Sequence, residues 1–146
     1  MEPETKLTIA IAQIRVAPRK PEENLTKAES LVAEAARRGS DLVCFPEMWT
    51  TGFDWNYLAA STGEHGEVVE RISELARRHR IWINGSVPTV TADGRIANTS
   101  ILFDAEGGRA GVYRKVHLFS LLHEDDHLAA GDALTVVETP WGRIGL

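Results

Sequence analysis

The sequence is short of cysteine: Cys44 is the only one, so no disulfide can form within the chain. A set of paired cysteines would indicate an oxidising compartment, and the chain has none. Long apolar runs are also missing, since no segment approaches the roughly 20 residues that a membrane-spanning helix needs. The first residues, Met1 to Lys6, lack the basic and apolar regions of a secretory signal. We therefore expect a cytoplasmic protein with no membrane partner.

Positive charge is in deficit as well. The 146 residues include 16 Lys and Arg against 21 Asp and Glu, which gives a formal net charge of −5 at pH 7. The chain therefore has no general basic footprint for nucleic acid. With 43% hydrophobic and 25% charged residues, the composition is that of an ordinary globular domain that can bury a core.

Apolar patterning predicts β-α-β order in the first half. Leu7 to Val16 is apolar on both faces, which predicts a strand covered on both sides. Pro21 to Arg38 has helical spacing, and Leu42 to Phe45 is an apolar run typical of a buried strand. Residues from Trp55 to Glu64 look irregular, and a second amphipathic helix is predicted to end near His79. This order implies parallel strands joined by a right-handed crossover.

Turn signals predict hairpins in the second half. Asp93-Gly94 and Gly107-Gly108 separate three predicted strands, which are Ile81 to Val87, Ile96 to Phe103 and Arg109 to Lys115. Together, the two halves predict an α/β protein with a mixed sheet.

The end of the chain keeps a non-catalytic interpretation open. Val116 to Asp132 has no clean period, and such segments in compact domains are commonly functional or disordered. Leu134 to Glu138 and Arg143 to Leu146 are predicted strands, and the second leaves an apolar sheet edge open. The chain could therefore be a binding or assembly module that pairs this edge with a partner or a copy of itself.

Glu47 and Lys115 are candidates for chemistry because each lies at the end of a predicted strand. Ligand sites of open α/β sheets form at the carboxyl edge. A partly desolvated Glu47 there suits general-base work, and a lysine among aromatic groups can stabilise an oxyanion. The alternatives are a capping or solvent-facing Glu47 and a snorkelling surface lysine. Trp49, Phe53 and Phe119 are candidate pocket walls, with simple core packing as the alternative.

Two further patterns have weaker support. His123-Glu124-x-x-His127 matches a zinc motif, but its interior residues are both Asp and Gly131 soon ends any helix. A zinc hydrolase is thus only a third interpretation, and we expect no bound metal. Cys44 lies inside an apolar run, where free cysteines are inert, so we expect it to be a packing residue.

Three motifs occur in order along the chain: F-P-E-M-W-T-T-G-F at 45–53, Y-R-K-V-H-L-F at 113–119 and H-E-D-D-H-L-A-A-G-D at 123–132. With I-A-I-A-Q-I at 9–14 and W-G-R-I-G-L at 141–146, they resemble the carbon-nitrogen hydrolase (nitrilase) superfamily. The first motif is most similar to the amidase branch that acts on ω-amides of short dicarboxylic acids. The resemblance implies the N-terminal half of a four-layer α-β-β-α sandwich, so that residues 1–146 would form a single, incomplete domain.

The resemblance also implies roles for three residues. Glu47 would be the general base, Lys115 would support the tetrahedral intermediate, and Glu124 would position the lysine and the substrate. The family's reaction is attack by a cysteine thiolate on a small amide or nitrile, loss of ammonia or an amine, and hydrolysis of the thioester. No cofactor is implied, and full-length members tend to form homo-oligomers.

The chain departs from the family pattern at the nucleophile. In the family that cysteine lies a few residues beyond the strand that corresponds to Gly142 to Leu146, and Cys44 does not match its position. We therefore expect the nucleophile to be absent from residues 1–146, and no amidase turnover from these residues alone.

Overall fold

The computed structural model describes residues 6–146. Its helices are α1 (Pro21–Arg37), α2 (Trp55–Ala60), α3 (His65–His79) and α4 (Glu124–His127), with 3-10 turns at Thr62–Glu64 and Ser120–Leu122. Its strands are β1 (Ile9–Ile11), β2 (Leu42–Cys44), β3 (Trp82–Val90), β4 (Ile96–Phe103), β5 (Arg109–Arg114), β6 (Val136–Thr139) and β7 (Gly142–Gly145).

Five strands form one mixed sheet in the order β1-β2-β3-β4-β5. The first three strands are parallel, and β3, β4 and β5 are antiparallel neighbours. The mixed α/β architecture predicted from the sequence is therefore confirmed. Because β4 runs against the others, its amino end meets the carboxyl ends of β2, β3 and β5 at one edge of the sheet.

One face of the sheet is closed by α1 and α3. The apolar positions that repeat at helical spacing, such as Val32 on α1 and Ile72 on α3, are buried in a single core with Val43, Ile83 and Phe103 of the strands. Burial of each such side chain contributes about 1.5–3 kcal/mol to folding. The amphipathic pattern of the helices thus fixes which side of the sheet they cover.

The opposite face is covered only in part, by the β6-β7 hairpin. Val137 and Leu146 pack there against Leu102.

The prediction for Leu7 to Val16 is wrong in two respects: β1 has only three residues, and Ile9 and Ile11 are 47% and 73% exposed. The helices cover only the alternate side of β1, so the apolar side chains on its other face stay partly or largely exposed in the part of the chain that the structure describes.

Residues 55–64, predicted to be irregular, are helical. Asp54 Oδ1 accepts a hydrogen bond from the Tyr57 N–H at 2.9 Å, which caps α2. Leu58 of this helix is fully buried. The sequence did not show this helix because six residues are too few for a helical period to be recognised. No helix in the described part of the chain is long and apolar enough to cross a membrane.

A tight turn after β2 presents Glu47. Met48 has a φ of +48°, which is uncommon for a residue other than glycine. Ser86 of β3 stabilises the turn, since its Oγ accepts from the Met48 N–H at 2.8 Å and its carbonyl oxygen from the Trp49 N–H at 3.2 Å. Trp49 then stacks on Phe45 with ring centroids 4.5 Å apart. The turn is therefore fixed both to the neighbouring strand and to the core.

Gly85 makes this packing possible, and we expect Gly85→Ala to destabilise the protein. A Cβ at position 85 would lie 2.8 Å from both Phe45 Cβ and Trp49 Nε1. Overpacking of this kind costs about 1–3 kcal/mol in the free energy of unfolding, measurable by urea denaturation. Gly145→Ala is the matched control, because a Cβ there has no atom within 4 Å. Equal stability of the two variants would contradict this packing.

Candidate active site

Three charged side chains from distant parts of the chain meet at the carboxyl edge of the sheet. Lys115 Nζ lies 2.8 Å from Glu47 Oε1 and 2.9 Å from Glu124 Oε2. Glu47 comes from the turn after β2, Lys115 follows β5, and Glu124 begins α4. The structure thus brings together the three residues that the sequence singled out for chemistry, and a snorkelling Lys115 is excluded because its ammonium is held between two carboxylates.

The backbone of Lys115 is held on both sides. Its N–H donates to the carbonyl oxygen of Asn98 at 2.9 Å, which continues the β4-β5 ladder, and its carbonyl oxygen accepts from the Gly131 N–H at 2.9 Å. Burial lowers the pKa of the Lys115 ammonium, but hydrogen bonds to Glu47 and Glu124 outweigh it and raise the pKa above its ordinary value of 10.5. Lys115 is therefore a fixed cation at neutral pH.

Glu124 is the buried member of the group, with its side chain 2% exposed. Its Oε2 accepts from the Phe119 N–H at 2.7 Å, and its Oε1 accepts from Lys115 Nζ at 3.1 Å. A buried carboxylate needs such partners, because an isolated charge in a protein interior is very costly. The irregular segment from Val116 to Asp132 therefore folds around the carboxylate of Glu124, whose charge Lys115 neutralises.

Glu47 is the accessible member, with its side chain 47% exposed. Its Oε1 accepts two hydrogen bonds, one from Lys115 Nζ at 2.8 Å and one from Asn98 Nδ2 at 2.7 Å. Glu47 is therefore neither a helix cap nor a freely solvated carboxylate. Glu47 is oriented by two donors and still open to a molecule that enters from solvent.

A cleft of about 240 Å³ lies beside Glu47 and Lys115. Its wall includes five polar residues that the sequence analysis did not single out, namely Asn84, Ser86, Asn98, Ser100 and Tyr113. A signal was present in the sequence, because Asn98 and Ser100 share one face of a strand that is otherwise largely apolar. Such polar residues inside an apolar strand are typical of a ligand site, where a few polar groups orient what binds.

The candidate pocket walls differ in exposure. Trp49 is 1% exposed and belongs to the core, whereas Phe53 and Phe119 are 38% and 48% exposed. Phe53 contacts Trp55 edge to face, with ring centroids 6.0 Å apart. A wall role for these three residues stays a prediction.

Cys44 is half-buried in β2, among apolar neighbours that include Leu42 and Trp82. Desolvation raises the pKa of its thiol, which disfavours the reactive thiolate. The environment of Cys44 is that of a packing residue.

The His123 to His127 segment offers no convergent set of metal ligands. His123 has a φ of +59° and precedes α4, and its Nδ1 lies 3.2 Å from Asp126 Oδ2. The His127 ring instead stacks on Trp55, with centroids 5.2 Å apart. Within residues 6–146, no group of three or more His, Cys, Asp or Glu side chains is placed to hold a metal ion. The zinc hydrolase interpretation therefore has no structural support.

We expect Lys115→Met to destabilise the protein by about 2–3 kcal/mol, because it leaves the Glu124 charge buried without its counter-ion. This is below the full cost of breaking a buried pair, since Lys115 is itself 26% exposed. Glu47→Gln should cost less than about 1 kcal/mol, because Glu47 remains open to solvent. The double variant Lys115→Met/Glu124→Gln should be more stable than Lys115→Met alone in urea denaturation. A double variant that is less stable would contradict the argument.

The raised pKa of Lys115 gives a pH dependence with a definite sign. The folded state holds this proton more tightly than the unfolded state, so the stabilisation is complete below the ordinary value of 10.5 and disappears as pH rises through the folded-state pKa. The difference in unfolding free energy between wild type and Lys115→Met should be constant near neutral pH and shrink above pH 10.5. A difference that grows in this range would show that the lysine is not stabilised in its charged form.

Comparison with known proteins gives a consistent result. The carbon-nitrogen hydrolase family model matches residues 8–146. The omega-amidase NIT2 of Mus musculus is 33% identical over 94% of this chain and 52% of its own length. The 2-oxoglutaramate amidase of Bacillus subtilis is 33% identical over 86% of this chain and 49% of its own length. The chain thus spans about half the length of these curated relatives.

Solved structures agree on the fold. A mutant of the amidase from Nesterenkonia sp. AN1, in complex with butyramide, superposes with a TM-score of 0.88 at 22% identity. The superposition covers 97% of this chain and 55% of that one. The fold is therefore that of nitrilase-superfamily amidases, and the family match extends over nearly the whole sequence. The chain belongs to the carbon-nitrogen hydrolase family.

Proposed function

We propose that this chain supplies the general base, the cation and the second glutamate of an amidase that hydrolyses a small amide to a carboxylate and ammonia. The observation that carries the proposal is the ammonium of Lys115 between the accessible carboxylate of Glu47 and the buried carboxylate of Glu124. Acyl transfer requires a base beside the nucleophile and a fixed positive charge beside the developing oxyanion. Both line one cleft with polar walls.

Each residue then has a separate role. Glu47 takes the proton of a cysteine thiol, and the thiolate attacks the amide carbon, while Lys115 stabilises the negative charge that forms on the amide oxygen. Glu47 returns the proton to the leaving nitrogen, and ammonia departs. A water molecule, deprotonated by Glu47, then attacks the thioester, and the carboxylate product leaves as the thiol is restored. Glu124 holds Lys115 in place throughout.

The thiol in this proposal is not that of Cys44. Cys44 packs among apolar side chains, and burial raises the pKa of its thiol. A mutant of the amidase from Nesterenkonia sp. AN1 has been solved with the acetamide moiety of fluoroacetamide covalently added at its active-site cysteine. We accordingly place the nucleophile outside residues 1–146, so that these residues form part of a hydrolase domain and are inactive on their own.

The proposed substrate is the ω-amide of a short dicarboxylic acid. The names of the relatives, omega-amidase and 2-oxoglutaramate amidase, support this class, and the polar wall of the cleft suits a substrate with more than one polar end. The reaction needs no metal or organic cofactor in this scheme. We propose a cytoplasmic location and a homo-oligomeric full-length protein, in keeping with the family resemblance.

Glu47→Gln in the full-length protein tests the proposal, with ammonia release from 2-oxoglutaramate and butyramide as the assay. Loss of a general base lowers kcat by about 100-fold or more. The variant keeps an oxygen that can accept from Asn98, so the fold should be retained.

Cys44→Ser is the matched control and should retain kcat within about twofold, because no proton transfer involves Cys44. Loss of activity in this variant, with the fold intact, would place the nucleophile at Cys44. Failure of the wild-type protein to release ammonia from either amide would remove the proposed function.

A further inference from the structure

Asn98 is a polar residue in a position where an apolar one would be expected. It lies in β4 and is 2% exposed, with Ala97 on one side and Thr99 on the other also fully buried. Burying an amide costs free energy unless it is hydrogen-bonded. The Asn98 amide donates to Glu47 Oε1 at 2.7 Å, across 51 positions of sequence. The hydrogen bond to the accessible carboxylate of Glu47, at the edge of the cleft, therefore explains why an amide is buried at position 98.

The backbone of the same residue holds Lys115. The Asn98 carbonyl oxygen accepts from the Lys115 N–H at 2.9 Å. Asn98 therefore contacts both charged residues at the cleft, one through its side chain and the other through its main chain. A shift of β4 would move the carboxylate and the ammonium together.

The two donors to Glu47 converge on the same oxygen. Lys115 Nζ and Asn98 Nδ2 lie 2.8 Å and 2.7 Å from Oε1. A carboxylate oxygen has two lone pairs, so these two hydrogen bonds use the acceptor capacity of Oε1. No donor among residues 6–146 forms a hydrogen bond with Oε2. The two oxygens of Glu47 are therefore different, although the side chain itself is symmetric.

We propose that Asn98 is a positioning residue: with Lys115 it occupies Oε1 of Glu47, fixes the plane of the carboxylate, and leaves Oε2 as the oxygen that accepts the proton. The inference rests on the proposed function, since it assigns an oxygen to the general base. Without Asn98, Lys115 alone would hold Oε1, and the carboxylate could turn about its terminal bond. The base would then be present but wrongly directed for much of the time.

Asn98→Leu and Asn98→Asp test this inference in the full-length protein. Asn98→Leu removes the donor at nearly constant volume, and we expect kcat for 2-oxoglutaramate to fall about tenfold or more with KM changed much less. Asn98→Asp replaces the donor by a second carboxylate beside Oε1. Two carboxylates that share a site resist ionising together, so the acidic limb of kcat/KM should move to higher pH by about one unit or more.

Asn84→Asp is the matched control. Asn84 lines the same cleft, but its amide donates to Ser100 Oγ at 3.1 Å and not to Glu47. The charged or titratable groups near Glu47, namely Lys115, Glu124 and Tyr113, are identical in both Asp variants. Asn84→Asp should therefore shift the acidic limb less than Asn98→Asp does. Equal shifts would mean that any charge in the cleft acts alike, and would overturn the inference.

A measurement on unaltered Asn98 covers the case in which its variants do not fold. The side-chain amide resonances of Asn98 in the wild-type protein should titrate with the acidic limb of kcat/KM, and this titration should vanish in Glu47→Gln. Resonances that do not follow pH would refute the contact. An active wild type whose kinetics are insensitive to Asn98 would overturn this inference and leave the proposed function standing. An inactive wild type would remove the proposed function itself.

Discussion

Burial of one carboxylate is the constraint on which the site depends. Glu124 is almost completely removed from solvent, and its charge is tolerated because Lys115 neutralises it and the Phe119 N–H donates a hydrogen bond to it. This requirement shapes the segment from Val116 to Asp132, which has little regular structure and in which only two apolar side chains, Leu128 and Ala129, are buried. Once Lys115 is fixed by Glu124, its ammonium is also fixed relative to Glu47. The position of the Lys115 ammonium beside the accessible Glu47 therefore depends on the buried carboxylate of Glu124.

The mixed topology makes this meeting of residues possible. In a sheet with parallel strands alone, the edge would carry only residues that follow strands. Here β4 runs in the opposite direction, so a residue near its start, Asn98, reaches the edge where Glu47 and Lys115 emerge. Parallel β2 and β3 place Met48 and Trp49 of the turn beside Ser86. The hairpins that follow the β-α-β unit thus contribute polar groups to a site whose accessible carboxylate, Glu47, comes from that unit.

Of the three charged residues that the sequence analysis named, Glu47 and Lys115 are set by strand ends, whereas Glu124 was named from the family resemblance alone. Glu47 and Lys115 could be placed because Pro46 and the apolar runs before them mark where β2 and β5 stop. Asn98 could not be assigned a partner, because its contact with Glu47 depends on the register of β3 and β4 and on a turn with a positive φ at Met48. The exposure of Ile9 and Ile11 was missed for a related reason: apolar content on two faces of a strand does not say whether both are covered.

Charge and exposure divide the three residues into two kinds. Lys115 and Glu124 stabilise the fold and shape the site at once, so the loss of either changes stability together with any chemistry. Glu47 has only one oxygen held by donors and is half exposed, so its contribution to folding is small. Because Glu47 is oriented by Lys115 and Asn98 while its own side chain stays half exposed, chemistry can be separated from folding at this position. The accessible carboxylate is thus the residue at which a loss of turnover has the simplest interpretation.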